Sequence, residues 1–90
     1  MSLPIAVLAS GRGSNLQAIL DAIKAKTLDA QVVVVLSDKP NAKALERAKA
    51  EGIAAYHVDP KAFADKSAYE AALLEHIERY NCELICLAGY

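Results

Sequence analysis

Short apolar runs alternate along the chain with longer stretches in which apolar residues recur every three or four positions. The continuous runs are typical of strands buried on both faces, and the spaced pattern is typical of amphipathic helices. The four predicted strands cover residues 5–8, 31–36, 53–58 and 84–87. The three predicted helices begin at Asn15, Ala42 and Ala68 and end near Lys24–Thr27, Glu51 and Arg79.

Strands and helices that alternate strictly, with connections of a few residues, predict an α/β fold with a doubly wound parallel sheet. We expect the strand order 3-2-1-4, which places the first and fourth strands side by side at the topological switch point. The chain has ninety residues, 54% of them hydrophobic, which is enough for a single domain with a core.

Polar residues at the helix starts predict how each helix is capped. Ser14 and Gln17 have the spacing of a capping box, and so do Ser67 and Glu70. Asn41 stands immediately before the second helix and is expected to cap it. These caps determine the first residue that we expect in each of the three helices.

The turn between the first strand and the first helix contains two glycines, Gly11 and Gly13, separated by Arg12. Glycine allows a sharp turn and lets an oxyanion approach the backbone where a Cβ would obstruct it. The free amides at a helix start, together with the positive end of the helix dipole, form an anion site. The residues predicted to surround one phosphate group are Gly11, Arg12, Gly13, Ser14 and Asn15.

Three other kinds of site compete with a turn for a single phosphate. A dinucleotide fingerprint would need a glycine where Leu16 stands, although Asp38 after the second strand suits the ribose hydroxyls of a nicotinamide cofactor. A P-loop would need Gly-Lys-Ser/Thr after its spacer, and the sequence has none. A non-catalytic phosphate-binding or signalling module stays open, although a phospho-receiver would carry acidic residues where this chain has Ser10-Gly11-Arg12.

Charge and composition restrict the partners. Ten basic and eleven acidic residues give a net charge of −1, without the clustered basic residues of a nucleic-acid groove. Apolar runs are far shorter than the roughly 20 residues of a membrane span, and we expect a cytoplasmic protein without membrane contact. Cys82 and Cys86 are predicted to be buried free thiols, and no metal site is expected. His57 and His76 are predicted to be structural.

Residues 7–19, with the sequence Val-Leu-Ala-Ser-Gly-Arg-Gly-Ser-Asn-Leu-Gln-Ala-Ile, resemble the opening of the phosphoribosylglycinamide formyltransferase family, folate-dependent enzymes of purine synthesis. The similarity covers nearly the whole chain and continues through residues 45–48, 52–54, 62–63 and 87–90. It implies a Rossmann-like formyltransferase fold in which residues 1–90 form the amino-terminal nucleotide-binding half, with an incomplete sheet.

The same resemblance implies a reaction and its small-molecule substrates. In the family a formyl group moves from 10-formyltetrahydrofolate, a cosubstrate rather than a tightly bound cofactor, to the amine of glycinamide ribonucleotide. The glycine turn holds the phosphate of that ribonucleotide, which implies this role for Gly13, Ser14 and Asn15. Gly89 and Tyr90 follow the fourth strand beside the turn and are expected to complete the substrate site.

The resemblance also implies where the chemistry takes place. The catalytic Asn, His and Asp of the family follow the Leu-Ala-Gly-aromatic segment and are not among these ninety residues. We therefore expect no catalytic residue in the chain and no formyl transfer by these residues alone. Lys66 matches a basic position that touches the formyl-folate in the family, whereas its local sequence favours a solvated loop lysine.

Overall fold

A computed structural model describes residues 3–10 and 13–87 of the chain. The strands are β1 (Leu3–Leu8), β2 (Ala30–Ser37), β3 (Ala54–His57) and β4 (Leu84–Leu87). The helices are α1 (Ser14–Lys24), α2 (Lys43–Ala50) and α3 (Lys66–Arg79), with a short 3₁₀ helix at Pro60–Ala62 before α3. Every predicted strand and helix is present. The spacing of apolar residues predicts these elements because it reflects which faces of each element are buried.

The strands form one parallel sheet in the predicted order β3-β2-β1-β4. At the carboxyl edge of the sheet, Leu8 pairs with Leu36 on one side and with Leu87 on the other. The ends of β1 and β4 are therefore adjacent, and this adjacency is the topological switch point where doubly wound sheets bind ligands.

The sheet is covered on both faces, which explains why its central strands are apolar without alternation. Ile5 and Val7 of β1 pack in the core beneath α1 and α2, whereas Ala6 and Leu8 pack in the core beneath α3. These four side chains are between 0% and 6% exposed. Such two-sided burial is what a parallel strand between helices requires.

The prediction that β4 is a buried strand is wrong for most of its side chains. Leu84 is 48% exposed, Ile85 is 43% exposed and Leu87 is 71% exposed. β4 pairs with β1 along one side only, and within residues 3–10 and 13–87 no strand lies along its other side. The apolar run alone does not distinguish an edge strand from a central one, whereas the predicted order 3-2-1-4 puts the fourth strand at the edge of the sheet, as observed.

The predicted caps of α2 and α3 are also wrong. α2 is preceded by Ala42 in an extended conformation rather than by Asn41, and Ala42 has no side-chain cap. α3 begins two residues earlier than predicted because the carboxylate of Asp65, not the hydroxyl of Ser67, accepts the hydrogen bond from the Ala68 amide at 2.9 Å. A carboxylate is the stronger acceptor at a helix start, where it also meets the positive end of the dipole.

Candidate phosphate-binding site

The candidate site lies where the chain leaves β1 and enters α1, at the carboxyl edge of the sheet. The backbone continues its pairing past the end of β1, since the Ala9 amide donates to the Leu36 carbonyl at 2.9 Å. Ala9 is fully buried. The start of α1 is therefore held close to the ends of β1 and β2 by backbone bonds on the strand side.

Gly13, rather than the predicted Ser14, is the N-cap of α1. It has φ 76° and ψ 18°, in the left-handed region that glycine enters without steric cost. The first hydrogen bond of the helix runs from the Gln17 amide to the Gly13 carbonyl at 2.9 Å. Ser14 is consequently the first helical residue, and the expectation that its hydroxyl caps the helix is wrong.

Gly13 is also the point at which α1 meets α2. A Cβ built on Gly13 would lie 2.7 Å from the Cα of Ala44 and 2.9 Å from the Ala44 backbone nitrogen, closer than real Cβ contacts occur. Gly13 and Ala44 are both buried. The missing side chain therefore serves two purposes, because it permits the left-handed turn and lets the first turn of α2 approach.

Gln17 does not form the predicted capping box. Its Oε1 accepts a hydrogen bond from the Arg47 guanidinium of α2 at 3.0 Å, and its Nε2 donates to Asp21 Oδ1 at 2.9 Å. Both ends of the Gln17 amide are thus engaged away from the helix start. The side chain instead ties the first turn of α1 to α2.

The start of α1 has the features of an anion site. The three amides before Gln17 have no carbonyl to donate to within the helix, and Gly13 has no side chain to cap them. The first turn contains no acidic residue. Ser14 and Asn15 are exposed, so their side chains can meet a ligand from solvent. Amides without an intrahelical acceptor and a first turn without a carboxylate together favour an oxyanion.

The other predicted site residues are placed as follows. Gly11, Arg12, Gly89 and Tyr90 lie outside the described residues. Leu8 and Leu87, which precede these residues along the chain, are paired at the carboxyl edge of the sheet.

Lys66 is the first residue of α3, with an exposed side chain, and its ammonium lies 3.8 Å from the Glu70 carboxylate. The structure therefore places it on a helix start rather than in the predicted loop. The described contacts do not join Lys66 to α1.

The dinucleotide alternative is disfavoured by Leu16. This side chain is 0% exposed and packs in the core beneath α1 and α2, where the fingerprint would require a glycine for close contact. Asp38 does not present both carboxylate oxygens to a ligand, because its Oδ1 is buried. Its negative charge instead reaches Tyr69, whose pKa is raised mainly by burial and further by Asp38 and Asp59.

The remaining candidate groups have ordinary structural surroundings. His76 stacks on Tyr56 with ring centroids 4.7 Å apart, and His57 is exposed at the end of β3. Cys82 and Cys86 are free and half-buried, and burial raises the pKa of the Cys82 thiol. Over the part of the chain that the structure describes, no three His, Cys, Asp or Glu residues are grouped as metal ligands. No helix there is long and apolar enough to cross a bilayer.

A comparison with known protein families identifies the family of this chain. The formyl transferase family model matches residues 3–90, almost the entire chain. The chain belongs to the formyl transferase family. Its doubly wound sheet is thus the fold of a formyl transferase domain.

Similar proteins within the formyl transferase family have related names. The chain is 44% identical over 85 residues to phosphoribosylglycinamide formyltransferase of Bacillus subtilis, covering 94% of the chain and 44% of that protein. It is 43% identical over 86 residues to the Escherichia coli enzyme of the same name, covering 96% of the chain and 41% of that protein. The chain therefore spans less than half the length of these relatives.

A solved structure of a similar protein has the same fold. The crystal structure of glycinamide ribonucleotide transformylase 1 from Symbiobacterium toebii superposes with a TM-score of 0.94 at 46% identity. The superposition covers 99% of this chain and 42% of that one. The doubly wound formyltransferase fold predicted from the sequence is confirmed.

The sequence does not predict the contribution of α2 to this candidate site. Ala44 carries no polar group, and nothing in its local sequence marks it as the surface that meets Gly13. Arg47 is thirty positions from Gln17, and only the packing of α1 on α2 brings them together. The local sequence signal is a glutamine three residues after Ser14, and this spacing predicts a capping box rather than a contact with α2.

Proposed function

We propose that the chain is the amino-terminal, phosphate-binding part of a phosphoribosylglycinamide formyltransferase. Such an enzyme transfers a formyl group from 10-formyltetrahydrofolate to the amine of glycinamide ribonucleotide in de novo purine biosynthesis. The observation that carries the proposal is the start of α1, which has no side-chain cap and follows β1 at the sheet edge where Leu8 pairs with Leu87. The formyltransferase names of the relatives support the same assignment.

In this proposal the phosphate of glycinamide ribonucleotide accepts hydrogen bonds from the backbone amides at the start of α1. Gly13 supplies the turn, and Ser14 and Asn15 add side-chain donors at exposed positions. Hydrogen bonds to a charged group contribute roughly 1.5–3 kcal/mol each, so a few of them suffice for a useful affinity. Gly11, Arg12, Gly89 and Tyr90 extend the proposed site, and Lys66 faces the formyl-folate cosubstrate.

In this proposal, substrate binding and catalysis belong to different parts of the enzyme. The chain's own residues bind and orient the ribonucleotide, and the acid, base and oxyanion donor belong to the part of the relatives that it does not span. A polypeptide of these ninety residues should therefore bind the ribonucleotide without turning it over. Repeated turnover by a chain verified by mass spectrometry to end at Tyr90 would contradict this division.

Nuclear magnetic resonance can test the phosphate site directly on the chain. Titration of ¹⁵N-labelled protein with glycinamide ribonucleotide should move the amide signals of Ser14, Asn15 and Leu16 more than any others. The start of α3 is the matched control, since its Ala68 amide already donates to the Asp65 carboxylate. If α1 and α3 amides respond equally, or neither responds, the proposed phosphate site is wrong.

A further inference from the structure

Among the described residues, a polar contact near each end of α1 ties it to α2 or to the residue that follows α2. Near its start, the Arg47 guanidinium donates to Gln17 Oε1 at 3.0 Å in a partly buried hydrogen bond. At its far end, the Lys24 ammonium pairs with the carboxylate of Glu51, the residue that follows α2. Only the first contact lies in the helical turn that follows Gly13.

We propose that Arg47 is a positioning residue for phosphate binding, which acts through Gln17 on the start of α1. The inference rests on the proposed function, in which this turn holds the substrate phosphate. Arg47 needs no contact with the ligand for this role. Arg47 instead controls which donors of the first turn are available to an anion and how those donors are oriented.

Arg47 acts on the first turn in two ways, and the first involves the side-chain oxygen Oε1 of Gln17. Gln17 is four residues after the Gly13 N-cap, one more than a capping box requires, but a glutamine side chain this close to a helix start can still turn back and accept a hydrogen bond from an amide there. Such a bond would compete with a phosphate for the same donors. Arg47 occupies Gln17 Oε1, and Asp21 accepts from Gln17 Nε2 at 2.9 Å, so the amide is held away from those donors.

The second part concerns the orientation of the turn. Gly13 abuts the backbone of Ala44, and Arg47 lies three residues further along the same helix. The first turn of α1 is therefore fixed against α2 at two places, one apolar and one charged. Backbone amides converge on one oxyanion only while the turn keeps a defined direction, and displacements of about 0.5 Å already weaken such sites.

Three substitutions separate positioning from simple stability. Arg47→Met keeps much of the aliphatic stem but removes the hydrogen-bond donors, and Gln17→Leu removes the acceptor at similar size. Lys24→Met breaks the ion pair with Glu51 at the far end of α1 and serves as the matched control, because it lies far from the turn. Thermal unfolding of each variant shows that it is folded at the temperature of the binding measurement.

Affinities for inorganic phosphate and for glycinamide ribonucleotide, measured from the amide shifts of the first turn, give the result. Arg47→Met should weaken both ligands by the same factor, about three- to ten-fold, as expected for the loss of one coupled contact. Arg47→Lys, which retains one donor, should recover part of the affinity. Lys24→Met should bind as the unmodified chain does.

The double variant Arg47→Met with Gln17→Leu decides whether Arg47 acts through Gln17. If it does, the double variant should bind both ligands no more weakly than either single variant. Additive losses of affinity would instead show that Arg47 acts on the ligand directly, and would overturn the inference. Unchanged affinity in Arg47→Met, or an equal loss in Lys24→Met, would also overturn it. Failure of the unmodified chain to bind phosphate at α1 would reject the proposed function itself and the inference with it.

Discussion

A Cβ placed on Gly13 would lie 2.7 Å from the Cα of Ala44, so the N-cap of α1 and the first turn of α2 occupy space that no other residue at position 13 could share. The neighbour is backbone and cannot rotate away. The glycine of the candidate phosphate turn is therefore required by the packing of two helices as well as by its φ of 76°.

Gly13→Ala should lower the free energy of unfolding by about 2–4 kcal/mol. Roughly 1–2 kcal/mol comes from the left-handed conformation and the rest from pushing α2 away. Gly52→Ala is the matched control, because Gly52 has φ 73° but no atom within 4 Å of an added Cβ. It should cost only the conformational part. Urea unfolding of both variants checks the difference, and equal costs would mean that the Ala44 contact is relieved without penalty.

The Tyr69 hydroxyl is buried and has no hydrogen-bond partner among the described residues. Tyr69→Phe should therefore leave stability at neutral pH unchanged or raise it by up to about 1 kcal/mol. Tyr56→Phe is the control, since its hydroxyl shares a hydrogen bond of 2.5 Å with that of Tyr80 and its loss should lower the urea midpoint. A clear destabilisation by Tyr69→Phe would show that the hydroxyl has a partner after all.

Tyr69 also links stability to alkaline pH. Its pKa is raised above 10.0, chiefly by burial, and burial raises the pKa of Cys82 above 9.0. As the pH rises through these ordinary values, the unfolded chain loses protons that the folded chain keeps, so the free energy of unfolding falls. We expect stability to be full below about pH 8.5 and to decline above it. Tyr69→Phe should decline less steeply, and an identical slope would contradict the assignment.

The edge of the sheet at β4 should promote association of the chain. Exposed strands offer unpaired backbone groups to another strand, and three apolar side chains of β4 are 43% to 71% exposed. Sedimentation velocity at high concentration should detect oligomers, and Leu87→Lys should reduce them. Leu28→Lys, at an exposed leucine before β2, is the control and should not. A monomer at all concentrations would contradict the prediction.

The periodic features of the sequence predicted the fold, whereas the local features predicted the caps poorly. The spacing of Tyr69, Leu73 and Ile77 identified α3, because burial against a sheet imposes that period wherever the helix lies. Capping residues compete with neighbours only one or two positions away. Asp65 rather than Ser67 caps α3, and Gly13, in a left-handed conformation, is the N-cap of α1 in place of Ser14.

The strand order that positions the candidate site was predictable, but the contacts that hold the start of α1 were not. The predicted order makes β1 and β4 neighbours, and the pairing of Leu8 with Leu87 confirms that their carboxyl ends are adjacent. The contact of Arg47 with Gln17 depends on how two helices cross, which no local pattern encodes. The sequence therefore indicated where a phosphate could bind, and the structure added what holds that turn in place.

The binding of glycinamide ribonucleotide by Asn15 is the central claim, and calorimetry on single variants tests it most directly. Asn15→Ala should weaken binding about ten- to a hundred-fold, because it removes a donor to a charged group, and should change stability by less than about 0.5 kcal/mol. Ser14→Ala should also change stability little, since Gly13 and not Ser14 caps the helix. Unchanged affinity in Asn15→Ala would show that the Asn15 side chain does not bind the ribonucleotide and would contradict the central claim.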